Sequence, residues 1–226
     1  STVDPGLEQV IMNENVLRAG LLDTAREMAH CGLNAGTAGN ASVRCTRGFL
    51  ITPTGMPYDH LTPEDLPRVA IDERDTPSST GRRKPSSEWR FHRDLYATRP
   101  EVGAVLHAHS PFAVSLACLR RDIPPFHYMI ARFGGDTVRC ADYALFGSQA
   151  LSDAALLAML DRKACLLANH GLLVAGRDLD EALALAVELE ELCEQYWRAC
   201  QLGAPVLLSV TEMAEVLVKF SGYGQQ

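Results

Sequence analysis

The sequence is poor in lysine and tryptophan, and it lacks several patterns that assign a function directly. Its 226 residues include 2 tryptophans, and its only lysines are Lys84, Lys163 and Lys219. It contains neither a G-x-G-x-x-G fingerprint nor a glycine-rich loop ending in Gly-Lys-Ser/Thr, which argues against dinucleotide-dependent oxidoreductases and P-loop proteins. No apolar run approaches the roughly 20 residues that a membrane helix needs. We therefore expect no membrane partner.

An excess of basic residues is also missing. The chain has 21 basic and 28 acidic side chains, which gives a formal net charge of −7. A protein of this charge offers no evident basic face, so we expect no nucleic-acid partner. An anionic small molecule would have to be bound by local hydrogen-bond donors or by a metal ion.

The cysteines do not form a recognisable disulfide pattern. There are seven, which is an odd number, and no C-x-x-C pair occurs. Most lie among apolar residues, as buried free thiols do. Such a set suits a reducing compartment, and the first residues carry no secretory signal pattern. We expect a cytoplasmic protein.

Short apolar runs alternate with helical patterns along most of the chain. Apolar residues at helical spacing over 7–30, followed by Gly32, predict an amphipathic helix, and 179–202 predicts a longer Leu/Ala/Glu helix. Further predicted helices are 86–99, 110–119, 148–160 and 211–220, with a short one opening at Thr62; predicted strands are 41–45, 49–52, 68–72, 102–107, 136–140, 164–168 and 172–175. This pattern indicates a mixed α/β domain in which helices cover a sheet.

One internal segment, residues 73–85, has no periodicity. It is polar and contains proline, glycine and serine, which predicts a mobile loop. We do not interpret it as a domain linker, because the next motif begins directly after it. The length of the chain fits one domain.

Four side chains from three segments have the composition of a catalytic metal site. His107 and His109 end a predicted strand, where residues i and i+2 project from the same face. His170 ends another apolar strand, and Glu88 falls in the first turn of a helix. Taken singly, these residues are more often ordinary sheet or turn histidines and an acid at a helix N-terminus. Three histidines and one carboxylate together match a zinc site that can open a position for substrate.

Three short segments offer uncharged donors in tight backbone. They are residues 37–40, 54–55 and 86–87, with the sequences Thr-Ala-Gly-Asn, Thr-Gly and Ser-Ser. Hydroxyl groups and backbone N–H groups of this kind suit a phosphate dianion. Each segment alone is most often an ordinary turn. The residues by themselves therefore leave phosphate binding open.

The order of the motifs resembles the class II aldolase and adducin family, and within it the fuculose-phosphate aldolase type. From about residue 7 to 223 the motifs are G-T-A-G-N-A-S, I-T-P-T-G, P-S-S-E, H-A-H-S, H-Y-M-I-A, Y-A-L-F-G-S, A-N-H-G and G-Y-G. The resemblance implies a single three-layer α/β domain over 1–226, with a mostly antiparallel central sheet covered by helices. It also implies a homotetramer with sites at subunit interfaces and a mobile C-terminal tail at about 221–226.

The resemblance implies a role for each matching residue. Zinc, or another divalent metal, would be bound by three histidines and, at rest, by Glu88, which becomes the acid/base when substrate displaces it. Tyr128 from a neighbouring subunit and Tyr223 from the tail would complete the catalytic set. The metal-binding histidines would be His107, His109 and His170; the substrate and phosphate contacts would be Thr37, Gly39, Asn40, Thr54, Gly55, Ser86 and Ser87, with Phe146 at the aldehyde end.

The implied reaction is the reversible cleavage of a ketose 1-phosphate, such as L-fuculose 1-phosphate, to dihydroxyacetone phosphate and a small aldehyde such as L-lactaldehyde. A metal would take the place of a lysine Schiff base, in agreement with the absence of lysine from the motifs. The same scaffold also serves aldolases of 5-deoxy- or methylthio-pentulose 1-phosphates and ribulose-phosphate 4-epimerases. A non-catalytic adducin-head-like module is the alternative of another class, but such heads lack the metal-binding residues.

Four residues stand apart from these assignments. Thr54 occupies a place where the family often has serine, which keeps the hydroxyl. Arg132 and Phe133 follow the H-Y-M-I-A motif where smaller residues are expected, and they are predicted to alter the aldehyde pocket. His92 lies four residues after Glu88 and is predicted to be its neighbour on the helix surface.

Overall fold

An eight-stranded sheet with helices on both faces makes up the computed structural model, which describes residues 5–72, 77 and 79–221. Within these residues the helices are α1 (Pro5–His30), α2 (Trp89–Thr98), α3 (Pro111–Ala117), α4 (Gln149–Ala158), α5 (Leu179–Leu202) and α6 (Val210–Ser221). The strands are β1 (Asn40–Cys45), β2 (Gly48–Ile51), β3 (Arg68–Ala70), β4 (Ser79–Thr80), β5 (Ala104–Ala108), β6 (Arg139–Ala141), β7 (Ala164–Leu167) and β8 (Gly171–Gly176).

The strand order brings distant segments of the chain side by side. It is β4-β3-β2-β1-β5-β8-β7-β6. Neighbouring strands are antiparallel except β6 and β7, which are parallel. The predicted mostly antiparallel sheet is confirmed. Its central pair, β1 and β5, aligns Asn40 with His107.

The two faces of the sheet carry separate apolar cores. In β5, Leu106 belongs to a core shared with α1, α3 and α5, whereas its neighbour Val105 belongs to a core shared with α2 and α4. Such alternation follows from the two-residue period of a strand. Each large aliphatic side chain buried in this way stabilises the fold by about 1.5–3 kcal/mol. The predicted three-layer architecture is therefore confirmed.

The start of α2 differs from the prediction. The helix begins at Trp89, not at residue 86, because residues before it form a turn in which the N–H of Trp89 donates to the carbonyl of Ser86. The N–H of Glu88 is 3.3 Å from the hydroxyl of Ser86. Glu88 is thus the N-cap residue of α2 and not part of its first turn.

The segment 73–85 is only partly described, because residues 73–76 and 78 lie outside the described residues. Its later part contains β4, which pairs with β3 and was not predicted. The 3-10 helix Tyr128–Phe133 was not predicted either. All seven cysteines are free. No helix in the described part of the chain is long and apolar enough to cross a membrane.

Candidate metal and phosphate site

Three imidazole rings meet at one end of the central strands. The ring centroids of His107, His109 and His170 are 4.7–4.8 Å apart, so they form a nearly equilateral triangle. His107 is in β5, His109 follows that strand, and His170 lies in the turn between β7 and β8. The structure thus brings together the three histidines that the sequence predicts as metal ligands.

The carboxylate of Glu88 completes this group. Its Oε2 is 3.2 Å from Nε2 of His107, and its Oε1 is 3.2 Å from Nε2 of His170. The Nε2 atoms of His107 and His109 are 2.9 Å apart. The ligand atoms of all four residues lie within 4.8 Å of one another. A tetrahedral zinc ion with bonds near 2.0–2.1 Å has ligand atoms about 3.4 Å apart, so a divalent cation fits the cluster.

The hydrogen bonds around the cluster leave Nε2 of His107 and Oε1 of Glu88 available to bind a metal ion. Nδ1 of His107 donates to the carbonyl of Leu172 at 2.8 Å, so the lone pair of a neutral ring is on Nε2, which faces the cluster. A backbone acceptor of this kind is the usual partner of a metal-binding histidine. Within the described part of the chain, the buried Oε1 of Glu88 has no hydrogen-bond donor. A buried carboxylate oxygen without a donor is explained if a cation binds there.

The electrostatics favour one positive charge within the cluster. Burial disfavours the charged forms of Glu88 and His107, but their mutual attraction outweighs it: the pKa of the Glu88 carboxyl is held below its usual range and the pKa of His107 is raised. Burial and the neighbouring His107 lower the pKa of His109 and of His170 to about 4. A proton or a metal ion can supply the charge, and two rings remain neutral for binding a metal.

Residues that the sequence analysis did not single out hold the segment that carries His109. The side-chain Oδ1 of Asn34 accepts from the N–H of His109 at 3.2 Å. The carboxylate of Glu190 accepts from the Ser110 hydroxyl at 2.6 Å and from the N–H of Phe112 at 2.8 Å. These partners are far apart in the chain, so no sequence spacing could have indicated them.

The predicted phosphate segments also lie beside the cluster. The N–H of Ser86 donates to the carbonyl of Thr52 at 3.1 Å, and the N–H of Thr54 donates to Lys84, so residues 54–55 and 86–87 are adjacent. Gly39 lies against the backbone of His107, close enough that a Cβ atom there would be 2.6 Å from its carbonyl oxygen. Thr37, Thr54 and Ser87 are exposed, whereas Ser86 is buried. The contact of these residues with phosphate remains a prediction.

Gly39 provides a test of this close approach. Gly39 has φ 76° and its missing Cβ would overlap Oδ1 of Asn34, whereas Gly36 has φ 64° and nothing within 4 Å. Alanine at either position costs about 1–2 kcal/mol for the left-handed backbone. Gly39→Ala should cost roughly 1–3 kcal/mol more through overpacking. Urea unfolding of Gly39→Ala and of the control Gly36→Ala measures the difference; equal losses would show that the loop moves aside.

The predicted residues of the aldehyde and proton-donor side are more exposed. The side chain of Phe146 is 63% exposed, and the following Gly147 packs against the carbonyl of Ser87. Tyr128 is 52% exposed and stacks on His127 at 4.8 Å. Tyr223 lies outside the described residues. The roles of Phe146, Tyr128 and Tyr223 thus remain predictions.

The expected influence of Arg132 and Phe133 on the aldehyde pocket finds no support in their contacts. Phe133 is fully buried in the apolar core that also contains residues of α1, α3 and α5. Nη1 of Arg132 is 3.0 Å from Oε2 of Glu188 on α5. One side chain is therefore used for packing and the other for an ion pair.

His92 is not a helix-surface neighbour, and that prediction was wrong. Its side chain is completely buried, because this face of α2 is turned toward β1, whose Ser42 and Asn40 bond to the ring. Its Nδ1 is 2.6 Å from the hydroxyl of Ser42, and its Nε2 is 2.6 Å from Oδ1 of Asn40. Burial lowers the pKa of His92 to about 3. The ring is therefore neutral at pH 7.

Comparison with known proteins agrees with this geometry. The family described as "Class II Aldolase and Adducin N-terminal domain" matches residues 19–197. A 5-methylthioribulose-1-phosphate/5-deoxyribulose-1-phosphate aldolase of Rhodospirillum rubrum is 55% identical over 208 residues, which are 92% of each chain. An L-fuculose phosphate aldolase of Escherichia coli is 45% identical over 214 residues, or 94% of this chain and 98% of the relative.

A solved structure shows the same fold. That of an L-fuculose 1-phosphate aldolase superposes with a TM-score of 0.86 at 36% sequence identity, over 91% of this chain and 96% of the other. The family match over residues 19–197 includes the strands and helices that carry the histidine cluster. The chain therefore belongs to the class II aldolase and adducin family.

Proposed function

We propose that this class II aldolase reversibly cleaves a ketose 1-phosphate to dihydroxyacetone phosphate and a small aldehyde, with zinc as its metal. The observation that carries the proposal is the compact group of Glu88, His107, His109 and His170, whose ligand atoms lie within 4.8 Å of one another. Segments rich in uncharged donors adjoin this group. An adducin-like module without catalysis would have no use for such a site.

The three histidines would hold the metal, and Glu88 would be the fourth ligand at rest. The bound metal supplies Lewis-acid stabilisation of the negative charge that develops during cleavage. Residues 37–40, 54–55 and 86–87 would bind the phosphate through hydroxyl and backbone N–H groups. This arrangement would hold the phosphorylated half of the substrate beside the cluster.

Cleavage between C3 and C4 also needs proton transfers. A base must accept the proton of the C4 hydroxyl, and an acid must return a proton to C3 of the dihydroxyacetone phosphate half. Glu88 is next to the histidines, and its carboxylate oxygen without a hydrogen-bond donor can accept a proton once substrate takes its place at the metal. Tyr128 of a neighbouring subunit and Tyr223 would share these steps as phenol donors.

Two substrate classes have comparable support. The Rhodospirillum rubrum relative favours a 5-deoxy- or 5-methylthioribulose 1-phosphate, because it is 55% identical to this chain. The Escherichia coli relative, at 45% identity, and the structure with a TM-score of 0.86 favour L-fuculose 1-phosphate. Both classes share the phosphorylated three-carbon half and differ in the aldehyde half. The choice thus depends on the exposed side of the site, near Phe146.

The substrate assignment can be tested with a panel of ketose phosphates. We expect zinc-loaded protein to release dihydroxyacetone phosphate from 5-deoxyribulose 1-phosphate, 5-methylthioribulose 1-phosphate or L-fuculose 1-phosphate. NADH oxidation by coupled glycerol-3-phosphate dehydrogenase measures the release, and the ratio of kcat/KM values ranks the substrates. Chelator-treated protein is the control. Conversion of ribulose 5-phosphate to xylulose 5-phosphate, without aldol cleavage, would instead identify an epimerase.

We also propose a homotetramer in the cytoplasm, with sites completed at subunit interfaces. Tyr128 is 52% exposed and stacks only on its neighbour His127 among the ring contacts of the described residues, which suits a residue that serves an adjoining subunit. Seven free cysteines suit a reducing compartment.

A further inference from the structure

We propose that His92 is a positioning residue: it sets the orientation of the Asn40 amide toward Glu88, while Ser42 and Tyr96 hold His92 in the tautomer that this orientation requires. None of the three is predicted to touch substrate or metal. The inference rests on the proposed function only for its consequence in catalysis, because the hydrogen-bond directions are properties of the protein alone.

The five side chains form an unbroken buried chain. The Tyr96 hydroxyl is 2.8 Å from the Ser42 hydroxyl, which is 2.6 Å from Nδ1 of His92. Nε2 of His92 is 2.6 Å from Oδ1 of Asn40, and Nδ2 of Asn40 donates to Oε2 of Glu88 at 2.9 Å. Each of them is at most 7% exposed. Water therefore does not substitute for a missing partner.

The donor and acceptor of each hydrogen bond follow from the Glu88 carboxylate at one end of this chain of side chains. A carboxylate only accepts, so the amide of Asn40 must present Nδ2 to Glu88. Its Oδ1 must then accept, which places the single proton of the neutral His92 ring on Nε2. Nδ1 is left as an acceptor for the Ser42 hydroxyl, whose oxygen accepts in turn from Tyr96.

The opposite direction is unfavourable. A flipped Asn40 amide would place Oδ1 against Oε2 of Glu88, so that two acceptors face each other without a proton at about the observed 2.9 Å separation. It would also require the His92 proton on Nδ1. A buried pair of this kind has lost its hydrogen bonds to water and gains none in return, so the flipped amide is disfavoured. Within the described part of the chain, Ser42 is the only acceptor for the Tyr96 hydroxyl, so the phenol proton goes to Ser42 and the Ser42 proton goes to Nδ1 of His92. Ser42 and Tyr96 thus favour the one tautomer that suits a charged Glu88.

The orientation of the Asn40 amide matters because it determines which oxygen of Glu88 accepts a hydrogen bond and which oxygen does not. Asn40 occupies Oε2, and Oε1 remains without a donor among the described residues, 3.2 Å from His170. Loss of the His92 hydrogen bond would free the amide to rotate and the carboxylate to turn with it. Removal of a hydrogen-bond partner that orients a metal ligand typically lowers metal affinity or activity by about 10–100-fold.

Nitrogen-15 NMR of histidine-labelled, zinc-loaded protein tests the tautomer without substrate. We expect His92 to show a protonated Nε2 and an unprotonated Nδ1. In Ser42→Ala the spectrum should show a mixture of tautomers. The control Ser152→Ala removes an equally buried hydroxyl, also 0% exposed, whose partner is Asp94 and not His92; its His92 signals should be unchanged.

Zinc affinity, measured by competition with a chromophoric chelator, gives the second readout. His92→Phe should weaken zinc binding roughly 10–100-fold, and His92→Gln, which restores a donor to Asn40, should recover part of the loss. If His92→Phe fails to fold, the comparison of Ser42→Ala with Ser152→Ala still tests the proposal. A wild-type ring protonated on Nδ1, or equal tautomer and zinc affinity in the two serine variants, would overturn the proposal. A protein with the expected tautomer and zinc affinity but no aldol cleavage would instead refute the proposed function.

Discussion

Replacing His109 with alanine should leave a folded protein that binds zinc about 100-fold more weakly, gives it up on dialysis against a chelator and loses most of its turnover. A four-ligand zinc site provides about 10–16 kcal/mol, so one imidazole accounts for roughly 3 kcal/mol, or about 100-fold in affinity. His109 is at a rim of the cluster and follows β5, so its truncation leaves the core intact. Elemental analysis after dialysis measures the zinc, and circular dichroism verifies the fold.

An exposed histidine supplies the matched control. His60 ends a 3-10 helix on the surface, and His60→Ala should keep both metal and turnover. If His109→Ala bound zinc as tightly as His60→Ala and kept its rate, the ligand assignment would be wrong. Loss of zinc in both variants would point to a general effect of histidine removal.

Replacing Glu88 with glutamine should separate metal binding from proton transfer. Glutamine keeps the size of the side chain and an oxygen for the Asn40 amide, so the cluster of three histidines remains able to bind zinc. It cannot accept a proton as a carboxylate does. We expect kcat to fall about 10²–10⁴-fold, the usual contribution of a positioned acid or base, with metal restored at higher zinc concentration.

The comparison must be made at saturating zinc. Glu101→Gln removes an exposed carboxylate paired with Arg99 on the surface and should leave kcat unchanged. An unchanged kcat in Glu88→Gln at full metal occupancy would refute its role in proton transfer. A fall in kcat that higher zinc fully reverses would restrict Glu88 to metal binding.

Local patterns were sufficient for much of the fold. The prediction of a helix over 179–202 agrees with α5, because Asp178 caps its start and Gly203 follows its end. The placement of the H-x-H pair at the end of β5 was equally predictable from the sequence, since the two-residue period of a strand places both rings on one face. Their grouping with His170 and Glu88 was suggested by the residue types and assigned by the resemblance to a family, because no local rule specifies which strands become neighbours.

The errors arose where the docking of one element on another decides the outcome. A helical spacing of four identifies His92 as a neighbour of Glu88 but does not say which face of α2 is covered. That face is covered by β1, whose Ser42 is 50 positions away in the chain. For the same reason, no local signal indicated that Asn34 and Glu190 hold the His109 segment.

The central pairing of β1 with β5 has a consequence for how the protein acquires activity. Asn40, Glu88, His107 and His170 become neighbours only when both halves of the sheet have assembled around that pair. A partly assembled chain offers at most isolated ligands, so a metal ion would be bound strongly by the native state alone and would stabilise it by mass action. The supply of that metal would then determine how much of the newly made enzyme escapes degradation, in addition to how much of it is active.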